Sequence, residues 1–265
     1  MKNFKKILLT MAMTMALGTS AFAASGFEFL FQLAGGMGAT IPNKGYKDIF
    51  PDIKGKVSAD ADISAQIGYM FQVSSGFGIS VLGELGYSWD MYNMGYGNTG
   101  VIGVSVSING AGSSSYNASD GLDILTYYHS FKLGLLPKFN IGVGRGAIAI
   151  GIGGGVKIPL AGSLEMTQTS AATDAPTIEE VESKSKMDLK RKDITDMFSP
   201  SVIGYLKVTF DYYLFFTDNI GMNFGFYLGG DFGPKTKEVV SLVGGAGFNA
   251  FDFGLQLGFR FGPKA

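Results

Sequence analysis

From Ala59 to Val73 the chain reads ADADISAQIGYMFQV, and its odd and even positions are chemically different. Ala59, Ala61, Ile63, Ala65, Ile67, Tyr69, Phe71 and Val73 alternate with Asp60, Asp62, Ser64, Gln66 and Gln72, and only Gly68 and Met70 blur the pattern. Successive side chains of an extended strand point to opposite faces, so this stretch has one oily wall and one polar wall. A strand in a soluble protein is usually about half as long. A bilayer is crossed by roughly 9 to 11 tilted residues that alternate apolar-out and polar-in. The stretch therefore asks for sister strands with which to close a membrane-spanning barrel.

Hydrophobic residues make up 46% of the chain and charged ones 16%, more apolar than a soluble surface tolerates. Yet beyond the N-terminus no run of about 18 apolar residues offers a spanning helix. The best candidate, Ala147 to Val156, is broken by Gly151, Gly153, Gly154 and Gly155. The apolar content must be spread over short alternating segments. Absence of cysteine excludes disulfides, thiolate metal sites, thiol catalysis and a lipid-anchoring cysteine. A net charge of −1 without a concentrated basic block excludes nucleic acid as a partner.

Residues 1–23 carry Lys2, Lys5 and Lys6, an apolar run from Ile7 to Leu17, and Ala21-Phe22-Ala23. That order is a secretory signal peptide, too short for an anchor, and it implies export with cleavage near Ala23. Residues 24–265 are then the barrel domain. Alternation marks strands from Gly26, from Ala59 to Val73, from Phe77 to Asp90 and from Asp123 to Leu136. Four more run from Ala147 to Ile158, Ser201 to Leu214, Ile220 to Phe232 and Phe251 to Phe261. A hairpin through Val104, Val106 and Ile108 lies in a Gly-, Ser- and Asn-rich loop and is not counted, which leaves ten strands as the other reading. Residues 137–146 read as a turn. Residues 161–199 read as a solvated loop of mixed charge, with a short helix opened by Thr177 and Glu180 as a capping box.

Connectors alternate between long and short, as in outer-membrane barrels with short periplasmic turns and long external loops. The fold class is all-β: an eight-stranded antiparallel up-and-down transmembrane β-barrel with long extracellular loops. Lys, Asp and Glu recur on one face of each strand, against Phe, Ile and Leu on the other. Charge facing lipid costs roughly 2 to 4 kcal/mol near mid-membrane, so the charged face is the interior. A soluble lipocalin-like barrel would invert the two faces.

The signal ending, the eight strands and the terminal FDFGLQLGFRF resemble the small outer-membrane barrels of the OmpA and OmpW type. The resemblance implies that outer-membrane lipid and the outer-membrane insertion machinery are partners, the latter reading the aromatic last strand. Here Phe261 is followed by Gly262-Pro263-Lys264-Ala265. It also implies an internal charge network that obstructs flow, or, on the OmpW side, a path for apolar solutes.

Inside the barrel, strand direction puts Glu28 and Arg260 near the periplasmic end as a salt bridge, with Asp211 as a third member. Glu84, Lys132 and Lys207 fall near mid-height, where mutual pairing is expected. Asp60, Asp62, Asp90, Asp231 and Asp252 fall toward the outer mouth with Lys157 near them. They form either a hydrated acidic rim or a cation site. Tyr87, Trp89 and Tyr127 face outward as an aromatic girdle. Inner-face glycines, among them Gly151, Gly225 and Gly254, leave room for a narrow pore. His129 and Ser130 fall on opposite walls and cannot act as base and nucleophile. No cofactor is implied. The expected role is non-enzymatic: envelope structure and surface interaction through the loops and an extracellular ligand, or else a narrow channel for small or apolar solutes.

Overall fold

In a computed structural model, which describes residues 25–96, 121–172, 179–237 and 245–264, ten strands join in one antiparallel sheet. They are β1 (Gly26–Pro42), β2 (Lys54–Gly55), β3 (Val57–Ser74), β4 (Phe77–Tyr96) and β5 (Gly121–Val143), followed by β6 (Gly146–Ala172), β7 (Glu179–Lys190), β8 (Ile203–Phe215), β9 (Ile220–Lys235) and β10 (Gly247–Phe261). Eight of them close a ring in the order β1–β3–β4–β5–β6–β8–β9–β10, with β10 pairing back on β1 from Phe29↔Phe261 to Pro42↔Phe248. β2 and β7 are additions at the long-loop rim. The signal peptide, the hairpin around Val104 and the capping Thr177 lie outside the described residues.

The short turns after β3, β5 and β8 share one end of the barrel. Gly76 and Gly144 turn the chain at two of them with φ of 76° and 56°, a region glycine enters without cost. The other end carries the long connections, including α1 (Lys44–Ile49) and α2 (Arg191–Met197).

Exposure settles which face is which. Leu255 is 71% exposed and Leu135 65%, whereas Glu28, Arg260, Lys138 and Asp211 are 0% exposed. A protein in water buries its leucines and exposes its charges. This inversion, carried by an outward belt that includes Phe31, Phe71, Phe131, Phe226 and Phe259, calls for lipid around the sheet.

Several strands run past their expected ends, β5 and β6 by the most. Pro137 does not end β5. It faces out, opposite Val81 of β4, and its missing N–H coincides with a gap in the β5–β6 ladder between Leu135↔Gly154 and Lys138↔Gly151. β6 continues past the belt and, above Lys157, exchanges β8 for β7 as its neighbour. Charged residues that cannot enter hydrocarbon are thus strand residues standing in water. The helix begins at Arg191, where Asp193 accepts the Lys190 N–H at 2.9 Å. Arg191 bolts the seam where β6 leaves β8, donating to the carbonyls of Pro159 (3.1 Å) and Ser201 (2.7 Å).

At the long-loop end the inner face turns apolar. Tyr92, Met94, Leu122, Ile124, Tyr128 and Phe248 point inward and are covered by Phe50 and Ile53 from the first long connection, Ile194 from α2 and Leu189 from β7. An apolar cap lies over this end of the described barrel.

Candidate functional site: the lumen

Alternation aims every second side chain at the barrel axis, and the register between strands decides which of them meet. At the short-turn end Arg260 Nε lies 3.0 Å from Glu28 Oε1 as a close ion pair off the hydrogen-bond line. Ser80 donates to Glu28 Oε2 at 2.5 Å, and the guanidinium rests 4.4 Å above the Tyr213 ring. Asp211 is not the third member of this pair. Lys138 takes it at 2.9 Å, and Asn223 and Gln256 donate to its other oxygen at 3.0 and 2.5 Å. Lys138 and Asn140 escape the sequence reading because Pro137 disguises their strand as a turn.

At mid-height Lys132 Nζ lies 3.7 Å from Glu84, and Lys207 3.9 Å. The nearer partner of Lys132 is Asp62, at 2.5 Å. Asp62 therefore belongs to this layer and not to the mouth. Ser88 of β4, which stands between Asp62 of β3 and Ser130 on Lys132's own strand, is small and leaves the lysine room to reach it.

Above them Lys157 sits between Asp90 (2.7 Å) and Asp231 (2.8 Å), and Tyr92 donates to Asp231 at 2.6 Å. The cation at the acidic mouth is thus the protein's own ammonium. Among the described residues no three carboxylates are arranged to hold a metal ion. Asp60 accepts from Tyr227, and Asp252 is half-buried on β10. Asp60, Asp62, Lys132, Lys157, Lys207 and Tyr227 are among the residues lining a small cavity of about 10 Å³, room for one water.

Two tyrosines explain glycines that read as pore lining. Tyr205 of β8 is in register with Gly155 of β6, Gly155 with Gly134 of β5, and Gly134 with Glu84 of β4. The side chain runs inside this row and donates to Glu84 at 2.7 Å; a Cβ on Gly134 would stand 3.0 Å from Tyr205 Cζ. Tyr227 of β9 repeats the arrangement the other way round the ring, past Gly254 of β10 and Gly36 of β1 to Asp60 of β3. Between them the two tyrosines span all eight strands of the ring. Elsewhere long side chains fill the notches: a Cβ on Gly151 would lie 3.1 Å from Lys138 Cγ, and one on Gly225 2.9 Å from Gln256 Cγ. The glycines make room for packing, not for passage.

On the outer wall Trp89 and Tyr127 stack with ring centres 5.8 Å apart, and the Tyr87 hydroxyl lies 2.5 Å from His129 Nδ1. These three aromatics lie toward the long-loop ends of β4 and β5. His129 is exposed outside while Ser130 is buried inside, so they form no catalytic pair.

No family model matches the sequence, and no curated protein matches it. Among solved structures it is similar to the outer membrane protease OmpT from Escherichia coli, at 10% identity and a TM-score of 0.37 over 92% of this chain and 99% of that one. It is also similar to Neisserial surface protein A (10%, TM-score 0.33, covering 89% and 99%) and to OprG from Pseudomonas aeruginosa (10%, TM-score 0.33, covering 90% and 96%). Scores this low carry no argument about activity, and the assignment stands on the closed ring and its inverted faces. On that geometry, what folds here is an eight-stranded antiparallel transmembrane β-barrel, built as small bacterial outer-membrane barrels are.

Proposed function

We propose that the protein is an exported, non-enzymatic outer-membrane barrel whose lumen does not conduct, and that it serves envelope structure and interactions at the cell surface. The observation that carries this reading is the filled interior: three tiers of ion pairs, two tyrosine struts and an apolar cap lie in series along the axis. An eight-stranded barrel leaves just enough space for side chains, and here they take it. On this reading the long loops face outward, the partners are outer-membrane lipid and the insertion machinery, and any external ligand meets the loop end. The rival role, a channel for small or apolar solutes, would use the room at the inner glycines; against it, a Cβ on Gly134, Gly151 or Gly225 would meet the side chain of Tyr205, Lys138 or Gln256.

Planar-bilayer recording tests the proposal. The wild-type protein is expected to give no reproducible conductance steps. Replacing both Lys132 and Lys157 with alanine removes the nearest cation of Asp62, Asp90 and Asp231 and leaves Lys207 as the one cation beside Glu84, so cation-selective steps are expected from that variant. Reproducible steps from the wild type would defeat the plugged reading.

A further inference from the structure

β7 is the one long strand outside the ring, and among the described residues nothing pairs with its far edge. Its inner partner β6 holds it in continuous register from Ala161↔Lys190 to Ala172↔Glu179, without a bulge. At its base Leu189 is buried in the cap, so the strand is anchored. Lys190 pairs with Ala161, which pairs with the girdle-level His129, so the strand rises from the membrane surface upward. From Glu182 to Lys186 every side chain is exposed. An edge of this kind presents a row of free backbone donors and acceptors.

Charge selects what can pair with it. Glu182 and Lys184 share one face and lie 3.2 Å apart. In an antiparallel pairing of two copies with Glu182 of one opposite Lys184 of the other, both cross-strand pairs are of opposite sign. Sliding by two residues sets Lys184 against Lys184 in one direction and Glu182 against Glu182 in the other, and like charges directly opposite are destabilising. A single register is favoured, and it is self-complementary, as a two-fold contact requires.

Orientation follows from the same symmetry. The two-fold axis between antiparallel copies of one strand runs normal to their shared sheet and reverses the barrel axis. Two barrels in one membrane point the same way, so the second copy must stand in a facing membrane. We infer that the β7 edge is a homophilic surface that joins this protein to another copy of itself across opposed membranes, by antiparallel strand pairing centred between Glu182 and Lys184. This rests on the outer-membrane reading with the long loops outward.

The test uses full-length barrel reconstituted in dioleoylphosphatidylcholine vesicles, with clustering followed by light scattering. Wild-type vesicles should cluster, and rising salt should weaken the clustering. Glu182→Lys and Lys184→Glu vesicles should each stay dispersed alone, because each sets like charges opposite. Mixed together they should cluster, because each then meets its complement. Clustering by either variant alone, or no recovery on mixing, overturns the register. Inserted wild-type protein whose vesicles stay dispersed overturns the homophilic partner and leaves the edge to a strand of another protein. Co-flotation of barrel with vesicles separates the two levels: without it the membrane reading fails, and with it but without clustering only this inference fails.

Discussion

Arg260→Ala is expected to lower the free energy of unfolding from phospholipid vesicles by about 3–5 kcal/mol, measured by urea titration. The guanidinium is fully buried, faces Glu28 at 3.0 Å, donates to Pro263 O at 3.1 Å and lies over Tyr213. Truncation leaves the Glu28 carboxylate buried with Ser80 as its remaining donor, and an uncompensated interior charge is the costly outcome. Removing both charges, as Glu28→Gln with Arg260→Met, is expected to cost much less, since neither side is then orphaned. If Arg260→Ala loses under about 1 kcal/mol, the value typical of a solvated pair, the layer is wet and its closure is not as described.

The second large effect concerns a residue with no side chain. Gly134→Ala should cost about 1–3 kcal/mol, because the added methyl displaces Tyr205 and leaves Glu84 without its hydroxyl donor. A double-mutant cycle distinguishes this from simple crowding. Tyr205→Phe in the wild type should cost a similar amount, yet little in the Gly134→Ala background, where the bond is already lost. Additive losses would mean that the strut is not one unit.

These expectations show which part of the molecule was legible in the sequence. The ring and its faces follow from the period-two pattern typified by Ala59 to Val73, since any one-residue slip would send Asp60 and Asp62 into lipid. The pairing of Glu28 with Arg260 follows because the first and last strands must meet to close the ring. Asp62 lies lower than its expected place at the mouth because alternation gives the side a residue faces but not its height against a neighbour two strands away, which depends on the stagger of the whole barrel. The tyrosine struts were hidden for the same reason. Tyr205, Gly155, Gly134 and Glu84 are far apart in the chain and align only through three successive registers. Within the expected loop at residues 161–199, β6 runs on to Ala172 and β7 spans Glu179–Lys190, because mixed charge bars a strand from hydrocarbon but not from a sheet in water.

The apolar cap has a bearing on how the protein is made. Its members are drawn from nearly the whole length of the chain: Phe50 and Ile53 early, Tyr92 and Tyr128 in the middle, Ile194 later, Phe248 and Ala250 on the final strand. No partial product of synthesis or insertion holds the complete set, and Phe248 reaches Tyr92 only once β10 has zipped onto β1. Closing the ring and completing the cluster are therefore one event.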